Sequence, residues 1–165
     1  PSVHNSQPWK FVVVRQKNAE LAKLAYGANY DQVMEAPVTI ALFTDTDLQK
    51  RARKIARVGG VKNFTDEQLQ YFMQNLPAEF ARYDAQQTSD YLALNAGLVA
   101  MNLVLALTDQ GIGTNIILGF DKSKINEVLD IEERFRPEVL ITVGYAAEKV
   151  EPSYRLPVDE IIDKR

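Results

Sequence analysis

With 165 residues, 46% of them hydrophobic and 25% charged, the chain has the size and composition of one ordinary globular domain rather than a disordered or fibrous protein. Its net charge of -3 supplies no basic field for phosphate backbones or anionic headgroups, so neither nucleic acid nor a membrane is expected as a partner. The absence of cysteine excludes disulfide scaffolds, thiolate nucleophiles and cysteine metal sites, and His4, the one histidine, is too few for a histidine metal cluster.

In chain order, Trp9–Val14 (WKFVVV) is aromatic and β-branched and predicts a buried strand. Residues 18–25 read as a short helix. Residues 38–43 (VTIALF), entered through Ala36 and Pro37, form a continuous apolar run that predicts an internal strand covered on both faces. Residues 47–58 and 65–83 carry helical spacing; Thr65 and Gln68 have capping-box spacing, and Gly59 and Gly60 are expected to break the pair. These two helices read as an exposed excursion.

Residues 91–107 (YLALNAGLVAMNLVLAL) are the strongest element. They are apolar all round apart from Asn95, Gly97 and Asn102, and predict a deeply buried core or interface helix, started by Ser89 and Asp90 and stopped by Gly111. At 17 residues with two asparagines the run is short and polar for a membrane span, which needs about 20. Residues 115–118 and 138–143 complete the strands, with a short helix over 122–129 between them.

Few motifs survive scrutiny. Gly111 and Gly113 begin a dinucleotide-like loop, but position 116 is Ile116, so no Rossmann fingerprint exists. The basic cluster Lys50, Arg51, Arg53, Lys54 and Arg57 reads as a solvated helix face. The run His4, Asn5, Ser6, Gln7, Pro8, Trp9 places polar side chains directly before a strand, where loops commonly carry ligands; composition alone reads it as a turn.

The run PSVHNSQPWKFVVV over residues 1–14 resembles the signature of the nitroreductase family: proline-serine, then asparagine-x-glutamine-proline-tryptophan. Residues 29–37, the long apolar helix, GIGTNIILGFD over 111–121 and PSYRLPVDEI near the end extend the resemblance in the same order along essentially the whole chain. It implies a single α+β sandwich over residues 1–165, with a central, mainly antiparallel sheet flanked by helices, and an intertwined homodimer with FMN between the subunits. By the same resemblance, Pro1, Ser2, Val3 and Asn5 reach the flavin bound mainly by the partner, and Gln7 supports them. Asn29 and Gln32, three apart and so neighbours on a helix, approach the ring. Ile117, Leu118 and Gly119 form the segment whose backbone N–H faces flavin N5, and Arg155 holds the phosphate. Relatives often carry a basic residue at Gln32, and the family can place lysine at Ser153.

The family opens with a helix bearing an arginine-x-serine-x-arginine motif, and the resemblance implies that this chain starts after it. The expected activity is ping-pong transfer of reducing equivalents from NAD(P)H through FMN to nitroaromatics or quinones, with no side chain acting as catalytic acid or base. A dehalogenating or flavin-modifying branch of the family and a non-catalytic flavin-binding dimer are the alternatives. No secretory signal is seen, which together with the lack of cysteine points to the cytoplasm.

Overall fold

The computed structural model describes residues 1–16, 18–62, 64–148 and 152–165. Four strands form one antiparallel sheet in the order β1-β2-β4-β3: β1 is Trp9–Val14, β2 Val38–Asp45, β3 Gly113–Ile117 and β4 Phe135–Gly144. The expected antiparallel α+β architecture is therefore present. Seven helices surround the sheet among the described residues: α1 Asn18–Ala22, α2 Asn29–Glu35, α3 Leu48–Val61, α4 Asp66–Gln70, α5 Leu76–Phe80, α6 Ala85–Asp109 and α7 Ile125–Leu129. A single π-helical turn, Tyr71–Asn75, joins α4 to α5.

The period-2 geometry of the central strands sorts their side chains between two layers. From β2, Ala41 and Phe43 face α1, α2 and α7, where Leu21, Ala22, Val33, Ile125 and Leu140 complete a core. Ile40 and Leu42 face the other way and meet Ala96, Ala100 and Val104 of α6, together with Ile141 of β4. As predicted, β2 is internal. By contrast β1 is an edge strand: only Val14 is buried and Val13 is 55% exposed. Aromatic and β-branched content indicates a strand without indicating how many neighbours it has, so the expectation of burial fails there.

Helix α6 runs over 25 residues and starts earlier than its apolar stretch suggests. Asp84 and Gln87 form a reciprocal capping box ahead of the apolar run, so Ser89 and Asp90 lie inside the helix. Its end follows the sequence: Gly111, at φ 73°, allows its own N–H to reach the Thr108 carbonyl and that of Ile112 the Leu107 carbonyl, a Schellman closure. Of the described helices it is the one long and apolar enough to cross a membrane, and only 28% of its most apolar stretch is buried. The deeply buried helix expected from its sequence is thus buried on one face only. Tyr91, Leu92, Asn95, Ala96 and Ala100 point inward, whereas Leu94, Leu98, Met101 and Leu105 remain exposed because no second layer covers them among the described residues.

The excursion between β2 and α6 also departs from expectation. Gly59 and Gly60 do not break α3, which continues to Val61. A Cβ on Gly59 would stand 2.1 Å from the Phe64 ring, so the glycine is where the following segment folds back onto the helix. The Thr65–Gln68 capping box forms, but the helical run ends at Phe80. Leu48, Ala52, Leu76 and Phe80 bury themselves against Tyr91 and Leu92 of α6, giving the excursion a small core of its own.

Candidate functional site

The segment ahead of β1 makes a 3-10 turn at Val3–Asn5 in which His4, Asn5 and Gln7 take positive φ of 54°, 49° and 44°. Left-handed backbone of this kind costs a non-glycine residue on the order of 1 kcal/mol, less for Asn and His than for most. It persists because contacts on both sides hold the backbone of the segment, although His4 Nδ1 is buried without a hydrogen-bond partner among the described residues. Val3 donates its N–H to Asn95 Oδ1 at 2.8 Å, and its carbonyl accepts from the Tyr91 hydroxyl at 2.8 Å. The Tyr91 oxygen also lies 2.6 Å from Ser6 Oγ, which is fully buried. A phenol has one proton and a carbonyl can only accept, so that proton goes to Val3 and Ser6 donates to Tyr91.

On the other side, the Gln7 carbonyl accepts from the Arg51 guanidinium, and the Pro8 carbonyl accepts from Asp45 N–H at 2.7 Å. Within the segment, Ser2 Oγ accepts from Gln7 N–H at 3.1 Å and Asn5 Oδ1 accepts from Gln7 Nε2 at 3.0 Å. Pro1 borders a groove of about 570 Å³ along the outer face of α6, lined by Leu94, Leu98, Met101 and Leu105.

The second group of expected residues gathers at the exit of β3. Asn29 opens α2 and donates from Nδ2 to the Gly119 carbonyl at 3.3 Å, an oxygen that also accepts from Tyr26 N–H at 2.9 Å. A Cβ at position 119 would sit 2.9 Å from Asn29 Nδ2, so a side chain there would displace the Asn29 amide from this contact. Among the described residues, the Gly119 N–H donates to no protein acceptor. Gln32 Oε1 accepts from Asn115 Nδ2 at 2.5 Å. Ile117 is buried, whereas Leu118 is 68% exposed and borders a second groove with Ser89, Ala93, Lys122 and Arg136. Ala93 lines both grooves, so the groove at Pro1 and the groove at Leu118 adjoin on α6.

Arg155 joins neither group. It donates to Ser153 Oγ at 2.6 Å and to the Tyr154 carbonyl at 2.9 Å, on a terminal segment, residues 152–165, that is exposed throughout. Tyr154, Leu156, Val158, Ile161 and Ile162 are exposed along with it.

Burial pushes the Tyr91 phenol up to about 12, with the Ser6 hydrogen bond acting in the opposite direction. Tyr71 and Tyr83 are raised by burial and by Glu79. All three are therefore neutral donors at ordinary pH. Desolvation lowers Arg51, the nearby Asp45 opposes that and Arg134 adds to it; an arginine in this position still carries its charge.

Sequence reasoning passed over four residues that build this site. Asn95 is visible only as an interruption in an apolar run, although its spacing of four from Tyr91 puts both on one helix face. Arg51 is indistinguishable in sequence from its basic neighbours, yet it alone of the cluster is half-buried, while Lys50, Arg53, Lys54 and Arg57 are exposed as expected. Ser6 gives no signal at all.

Comparison with known proteins identifies the family. Residues 1–145 match the model of the Nitroreductase family. A Streptococcus pyogenes protein named as a candidate NAD(P)H nitroreductase, Spy0809, is 62% identical over 165 residues, covering 100% of this chain and 82% of the relative. A crystal structure of a Nitroreductase Family Protein from Streptococcus pneumoniae TIGR4 superposes with a TM-score of 0.97 at 85% identity, over 100% of this chain and 82% of that one. A nitroreductase-like structure from Exiguobacterium sibiricum 255-15, solved in complex with FMN, is similar with a TM-score of 0.91 at 30% identity, over 100% of this chain and 80% of the other. The chain belongs to the nitroreductase family.

Proposed function

We propose that the chain is an FMN-dependent oxidoreductase that draws on NAD(P)H and reduces nitroaromatics or quinones, working as a cytoplasmic homodimer with FMN between the subunits. The observation that carries this reading is the Asn29–Gly119 contact: a glycine whose N–H has no partner among the described residues, beside an amide and an exposed apolar residue. A flat apolar ring with a polar edge needs that combination of an open wall and a few fixed donors. The support from relatives is that one at 30% identity was solved with FMN and another at 62% is named for NAD(P)H.

In this reading Pro1, Ser2, Val3 and Asn5 contact the flavin held mainly by the partner, and Gln7 braces Asn5 through their hydrogen bond at 3.0 Å. Asn29 and Gln32 border the ring, Ile117 anchors the β3 exit in the core, and Leu118 and Gly119 present a surface and a backbone donor. Arg155 suits a phosphate, which its guanidinium can grip in a bidentate fork. In a single chain Arg155 stands apart from the other residues, and a second copy would supply what is missing. When bound, FMN supplies the redox chemistry, accepting hydride from NAD(P)H and passing reducing equivalents to the second substrate. The protein holds the flavin in place, offers a preorganised donor and leaves one face open.

Steady-state kinetics with NADH or NADPH against nitrofurazone, quinones and halotyrosines test the proposal. Parallel double-reciprocal lines with nitroaromatics or quinones are expected. Intersecting lines would contradict the ping-pong order, and turnover of halotyrosines alone would move the chain to a dehalogenating branch.

A further inference from the structure

Helix α6 carries two polar side chains on its inner face that the proposed chemistry does not use. Asn95 is fully buried in a stretch where an aliphatic residue would pack without desolvating an amide. Its two polar atoms are both engaged: Oδ1 accepts from Val3 N–H at 2.8 Å and Nδ2 donates to the Tyr91 carbonyl of the preceding turn at 2.7 Å. Tyr91 completes the grip by taking the carbonyl of the same Val3 and the hydroxyl of Ser6. One helix turn thus holds both backbone polar groups of Val3, and the left-handed His4 and Asn5 lie between the two points of attachment.

We propose that Tyr91 and Asn95 are positioning residues, acting through Val3 and Ser6 to hold Asn5 in the left-handed conformation that the flavin site uses. The inference rests on the FMN reading above. A buried polar network that is fully satisfied specifies one arrangement of the chain it holds, and this one holds the segment that carries most of the proposed contacts to the partner's flavin. The opposite face of α6 exposes Leu94, Leu98 and Met101, so the helix that would join the subunits also shapes the site between them.

The test compares FMN affinity, by quenching of flavin fluorescence, and flavin midpoint potential in the parent, Tyr91→Phe, Asn95→Leu and Val104→Ala. Val104 packs on the sheet from the same helix and makes none of the contacts to Val3 or Ser6, so its variant reports general loosening of α6. Tyr91→Phe is expected to weaken FMN about tenfold, equivalent to about 1.4 kcal/mol, and to shift the potential. Asn95→Leu, where it folds, should do the same. Val104→Ala should lower the melting temperature and leave both flavin readouts in place. If Tyr91→Phe binds FMN at the parent's affinity and potential, or if Val104→Ala alters both as much as Tyr91→Phe does, the positioning role is overturned. A parent that binds no FMN would overturn the flavin reading as well, and that outcome is distinct because the parent itself then fails.

Discussion

Arg136 closes on Glu138 two residues away, with Nη2 at 2.7 Å and Nε at 2.8 Å from the same carboxylate oxygen. Glu138 is the extra residue of a bulge in β4, where pairing with β2 skips from Leu42–Val139 to Phe43–Pro137. Its carboxylate also accepts from Thr44 Oγ1 at 2.5 Å, and Arg136 reaches on to Ser89 Oγ at 2.8 Å. The bulge thereby ties the sheet to the first turns of α6. Breaking a buried pair on one side costs about 3 to 5 kcal/mol, whereas replacing both partners with apolar residues is often neutral. Arg136→Ala should therefore lower denaturant stability by about 3 kcal/mol. The double variant Arg136→Met with Glu138→Leu should recover only part of the loss, because Thr44 Oγ1 is then left buried without its acceptor, and urea titrations of the set provide the check.

Asn5 is expected to matter to the cofactor more than to the fold. Because Asn5 has φ 49°, Asn5→Gly removes the side chain without adding the strain that alanine would bring. Losing a donor from a ligand contact costs about 1 to 3 kcal/mol, so FMN affinity should fall by a factor of roughly 5 to 150 with little change in melting temperature. Unchanged affinity and potential would reduce Asn5 to a turn residue.

Met101 distinguishes a free surface from an interface. It is 49% exposed in the single chain, and a surface substitution there should change stability by no more than about 0.5 kcal/mol. In a homodimer with an obligate interface above roughly 2,000 Å², Met101→Glu buries a charge and should prevent folding and assembly together. Light scattering and circular dichroism of that variant decide between the two.

Alkaline stability should depend on Tyr91. Its phenol is held at about 12 against an ordinary 10.0, so the folded state favours the protonated, neutral form. That contribution is complete below the unfolded value of 10.0 and is lost as pH rises through about 12. Between those limits the parent should lose stability faster than Tyr91→Phe. Parallel pH profiles of the two melting temperatures would contradict the assignment.

The sequence made the frame legible wherever period and capping agreed: β1 begins and ends where predicted, the Thr65–Gln68 box forms and Gly111 closes α6. It misled where burial depends on neighbours that a local window cannot see, as at the edge strand β1 and the outer face of α6. Gly59 misled for a related reason, since its cost in a helix is offset by Phe64 folding back on it. In the site, Asn29 and Gly119, each singled out by the resemblance, touch one another, whereas the grip of Tyr91, Asn95 and Arg51 on the segment before β1 arises from long-range packing that no motif encodes.

The proposed activity requires the chain to hold a flavin able to take electrons from NAD(P)H and pass them on. Anaerobic stopped-flow mixing of the FMN-loaded protein with NADH or NADPH tests it most directly. Rapid bleaching of the visible flavin absorbance by at least one of the two is expected, with recovery on adding a nitroaromatic or quinone. Flavin that stays oxidised with both nucleotides would rule out that activity and leave a protein that binds the cofactor without using it.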